Sequence, residues 1–125
     1  MTPREVAEIG EAIALFESWE RTMNDARGSR KFTEALELLN DYLEYEPDTP
    51  HRKFVENLKL ANTRRLLREL AKVERKDFEV WLEYVLALAG PVEKEAKALM
   101  RIDPDLKRDY DAFVGAWAEL LPRTG

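Results

Sequence analysis

SRKFTEALELLNDYLEYEPDTP, residues 29–50, carries the pattern that decides the fold. Phe32, Ala35, Leu36, Leu39, Tyr42 and Leu43 recur at the three- and four-residue spacing of one helix face. Pro47 and Pro50 then end the helix, because the residue before a proline is pushed out of the helical region. Glu34, Glu37, Asp41 and Glu44 share a second face at the same spacing. No segment of the chain shows the strict alternation of a half-buried strand. An all-α fold is the expectation.

On the N-terminal side, Val6, Ile9, Ile13, Phe16, Trp19 and Met23 form another apolar stripe. Thr2 reads as its N-cap, with Pro3 at the first helical position. Gly28 reads as its end, with Arg27 in the last turn, where a cation suits the helix dipole. On the C-terminal side, residues 51–76 are harder to read. Phe54, Leu58 and Ala61 fall on one side of a helix, and Leu66, Leu70 and Val73 fall nearly opposite. Either the chain turns near Asn62 and Thr63, or one long helix passes between two packing partners; a break or kink is the preferred reading. Ten of the twelve residues from 78 to 89 are apolar, the exceptions being Glu79 and Glu83. A helix apolar almost all round is expected at the centre of the core, with Phe78, Trp81, Val85 and Leu88 buried. Gly90 and Pro91 then read as a stop and a new start. Val92, Ala96, Leu99 and Met100 form the stripe that follows. Asp103, Pro104 and Asp105 start a last helix with Leu106, Tyr110, Phe113, Val114, Trp117 and Leu121 on one face, closed by Pro122.

The sum is six or seven short helices joined by short turns, which favours antiparallel neighbours. The architecture is a helical-hairpin array or a compact helical bundle. At 125 residues the chain is read as a single domain, 1–125, long enough to bury its own core.

Residues 16–49 resemble the tetratricopeptide repeat, a helical hairpin of 34 residues. With Phe16 as the first repeat position, Trp19 and Phe32 fall on its aromatic positions. Ala35 falls on the small residue where the two helices cross, and Pro47 on the closing proline. Thr22 and Met23 stand where leucine and a small residue are usual, and the next 34 residues place Glu69 at the crossing. The resemblance implies a stack of hairpins whose concave face binds peptide segments of partner proteins. It implies no catalytic residue.

The chain has no cysteine, which excludes disulfides, thiolate nucleophiles and Cys-ligated metal sites. His51 is the only histidine, and it lies beside Arg52 and Lys53 at a helix start. Ser18 and Ser29 lack the glycine context of a nucleophile elbow, so no Ser–His–Asp triad is read. The five glycines stand singly, so no phosphate-cradling loop is present. The Glu-x-x-His pattern of helical di-iron proteins is absent. Asp103, Pro104 and Asp105 do not make a calcium loop, which needs a central Gly and a closing Glu. No metal or organic cofactor is expected, and the protein is read as not an enzyme.

Two charged features remain. The row Glu34, Glu37, Asp41 and Glu44 reads as a cation site, a docking surface for a basic partner, or simply a solvated outer face. The second feature is an asymmetry. Residues 51–76 hold nine basic and three acidic side chains, whereas the rest of the chain carries a net charge of −11. Arg64, Arg65, Arg68, Lys72 and Arg75 lie within about 100° of one helix face. These five are the candidate partner-binding residues, for an acidic segment of a protein or, as the alternative, for nucleic acid or phosphate. Compensation of neighbouring acidic faces is the structural reading of the same strip. The longest uncharged run, residues 84–92, is too short to span a bilayer, and no signal-peptide pattern opens the chain, so a cytoplasmic location is expected. The function expected is a protein-interaction or adaptor module; a regulatory nucleic-acid-binding protein is the second reading.

Overall fold

The computed structural model describes residues 3–21 and 26–118. Among them the fold is all-α, with no strand. The elements are α1 (Pro3–Arg21), α2 (Ala26–Tyr45), α3 (Arg52–Ala71), a 3₁₀ turn (Arg75–Asp77), α4 (Phe78–Leu99) and α5 (Leu106–Trp117). The backbone groups into two compact units, Met1–Lys59 and Leu60–Gly125, with the boundary inside α3.

In the first unit α1 packs along α2. Ile9, Ala12, Phe16 and Trp19 of α1 are buried, as are Phe32, Ala35, Leu36, Leu39 and Tyr42 of α2. The stripes read from the sequence are therefore the packed faces. The exception is Val6, which is 56% exposed; Thr2 and Met23 lie outside the described residues. Phe32 meets both Phe16 and Trp19 in an edge-on arrangement. Past α2, the Tyr42 and Thr49 hydroxyls are 2.6 Å apart, and Arg52 donates to the Pro47 carbonyl. These bonds fix the turn that Pro47 and Pro50 open. His51 is half-buried, its backbone N–H on Thr49 Oγ1.

Four expectations are corrected, three of them boundaries. Gly28 does not end α1: it lies in the first turn of α2. A glycine weakens a helix interior by only about 1 kcal/mol relative to alanine, so α2 tolerates it in its first turn. Nor does α3 break at Asn62 and Thr63. Its buried line runs Val55, Lys59, Thr63, Leu66, Leu67 and Leu70, all within about 120° of arc at the helical pitch. The single face was hidden because two of its members are polar. Lys59 donates to Asn40 Oδ1 at 2.7 Å, which compensates its burial. Phe54, taken from the sequence as an inward residue, is 49% exposed.

The third correction is α4, which passes through Gly90 and Pro91 without interruption. Ala87, Gly90 and Pro91 are all exposed, so the carbonyl that Pro91 leaves without an N–H partner lies on the open side, where water reaches it. Gly90 helps for a second reason. A side chain before proline clashes with its ring in the helical conformation, and glycine has none to clash. The fourth correction is to the centrality of α4. Val85, Leu88, Val92, Ala96 and Leu99 are buried, but Trp81 is half-buried and Leu86 is 43% exposed. The side chain of Phe78 lies outside the described residues.

In the second unit α5 buries Leu106, Phe113 and Trp117, with Tyr110 and Val114 half-buried, while Leu121 and Pro122 lie outside the described residues. Trp117 Nε1 donates to the Leu70 carbonyl at the end of α3. The Asp103–Asp105 turn precedes α5, its backbone closed by bonds from Leu106, Lys107 and Arg108 to Asp103, Pro104 and Asp105.

Candidate functional site

The acidic row of α2 stands beside α1. Glu34, Glu37, Leu38 and Asp41 of α2, spaced as one helix stripe, face Glu11 and Leu15 of α1 across an open depression of about 190 Å³. Glu11, Glu34, Glu37 and Asp41 are exposed, and Leu15 and Leu38 are half-buried. The result is an apolar strip bordered by carboxylates from both helices. Among the described residues none of the four carboxylates forms an ion pair. Glu44, the fourth acid of the row, is exposed one turn further along α2 and does not line the depression. Sequence reasoning missed Glu11, Leu15 and Leu38. Their signal is positional: Glu11 and Leu15 each precede a buried residue of α1, Ala12 and Phe16, so they flank the seam that α2 closes.

Charge supports the same location. Residues 1–59 carry thirteen acidic and eight basic side chains, and residues 60–125 carry twelve of each. The whole net charge of −5 therefore belongs to the first unit. The depression is also smaller than the roughly 300–1,000 Å³ of small-molecule sites. Among the described residues no group of three or more His, Asp or Glu side chains is placed to hold a metal ion.

The basic strip has a different environment. Arg64 Nη2 donates to Asp103 Oδ2 at 2.6 Å, and Arg64 Nε lies 3.2 Å from Asp109 Oδ2, close enough for attraction but without hydrogen-bond alignment. Arg68 Nε donates to Asp109 Oδ1 at 2.7 Å. Asp109 thus bridges two arginines one turn apart on α3, and Asp103 ties the turn before α5 to the first of them. Arg65 and Lys72 are exposed, and the side chain of Arg75 lies outside the described residues. The structure therefore brings Arg64 and Arg68 together on carboxylates of their own unit and leaves Arg65 and Lys72 outside that cluster. Reversing Arg68 and Lys72 to Glu is expected to cost on the order of 1–2 kcal/mol, since a carboxylate would then stand beside half-buried Asp109. Urea unfolding checks this; parent-like stability in the double variant would favour a docking role for the strip.

The Arg64 hydrogen bond, helped by the Asp105 backbone N–H, holds the Asp103 carboxyl below its ordinary value of 3.8. An unfolded chain then binds the proton more readily than the folded one. The contribution is present above pH ~4 and is lost as the pH falls through the folded value. Urea midpoints between pH 6 and pH 3 are expected to fall less steeply for Asp103→Asn than for the parent. Equal slopes would show that the pair carries no linkage. Elsewhere in this unit, burial and then Glu93 push the Tyr110 phenol up, and Glu93 also pairs with Lys97 at 2.9 Å and raises its ammonium. Both groups keep their ordinary charge at neutral pH.

Comparison with protein families, curated proteins and solved structures gives no match.

Proposed function

We propose that this chain is a non-enzymatic protein-interaction module that receives a basic segment of a partner on the α1–α2 surface. The observation that carries the reading is the set of four carboxylates around Leu15 and Leu38 that have no ion-pair partner among the described residues. In the second unit Arg64 and Arg68 of α3 are met by Asp103 and Asp109. At the α1–α2 surface no cation plays that part among the described residues. A partner with Lys or Arg on either side of an aliphatic side chain complements it: the aliphatic group covers the leucines, and the cations meet the acids. The tetratricopeptide-like spacing of Trp19, Phe32, Ala35 and Pro47 lies in this same hairpin and supports a peptide-binding reading.

The test is a synthetic amphipathic peptide with leucine flanked by lysines, titrated calorimetrically onto the parent and onto Glu37→Lys/Asp41→Lys. Both positions are exposed, so the double variant is expected to keep its stability within about 0.5 kcal/mol. It is expected to lose binding by roughly tenfold or more, since each surface charge contributes up to about 1 kcal/mol and reversal adds repulsion. Raising the salt from about 0.05 to 0.3 M should weaken the parent complex, because exposed charges are screened. Equal affinity of the two proteins, or no binding to the parent, would sink the reading.

A further inference from the structure

We draw no further inference here: the strongest candidate, the exposed apolar side of α4 around Leu86 and Ala87, carries nothing because nothing in the structure shows what covers it.

Discussion

Trp117→Ala is expected to lower the unfolding free energy by about 3–5 kcal/mol, among the largest losses any single side chain of the second unit can give. The indole is fully buried, so its removal forfeits transfer energy and leaves a void that the helices around it fill only in part. A smaller share comes from the bond of Nε1 to the Leu70 carbonyl at 2.9 Å. Leu70 lies next to the last residue of α3, where carbonyls have run out of intrahelical donors. Its oxygen keeps a second donor, the Val73 backbone N–H at 3.3 Å, so it is not orphaned by the substitution. Trp117→Phe separates the two parts. It keeps most of the ring and loses the N–H, and should cost on the order of 1 kcal/mol beyond the change in volume. Urea melts of the two variants, with the slope checked for constancy, give both numbers. A loss under 1 kcal/mol for the alanine variant would show that the indole is not packed.

Trp81 is the tryptophan that the sequence puts at the centre, and the structure leaves it half-buried. The difference has a physical source. Ten apolar residues in twelve mean that a helix has apolar side chains on every side; they do not say which sides have a neighbour. Trp117 lies on a helix with charged residues between its apolar ones, so its stripe points one way and its burial follows. The same logic separates what was legible in the other helices. The faces of α1 and α2 were clear because every buried position in them is apolar. The face of α3 was not, because Lys59 and Thr63 lie on it, and the apolar Phe54 and Ala61 are exposed instead. Pro91 looked like a boundary because a proline usually removes a bond that the interior cannot replace. Here the affected carbonyl lies on an exposed side.

The charged features were half-legible for a similar reason. Local spacing places Glu34, Glu37 and Asp41 on one face without any knowledge of the fold. Glu11 joins them only once α1 is laid beside α2, which one helix's periodicity does not state. The excess of cations in residues 51–76 was visible as a sum. The partners of Arg64 and Arg68, Asp103 and Asp109, lie in a turn and a helix far along the chain, where two aspartates look like any helix-start signal.

Trp19→Ala is expected to cost the first unit about 3–5 kcal/mol. Trp19 and Phe32 are both fully buried, with ring centroids 5.2 Å apart and planes at 64°. Phe16 meets Phe32 in the same edge-on way at 5.5 Å. Such pairs contribute roughly 0.5–1.5 kcal/mol beyond the area they bury, because the positive edge of one ring meets the negative face of the other. A double-mutant cycle of Trp19→Ala with Phe32→Ala isolates that part, and a coupling in this range is expected. The cycle also bears on docking, since α1 and α2 supply opposite sides of the acidic depression. A variant that no longer holds the two helices together should lose the lysine-flanked peptide even though all four carboxylates remain. Binding that survives full loss of the Trp19–Phe32 contact would mean that the peptide reads net charge alone, with no need for the two helices to be paired.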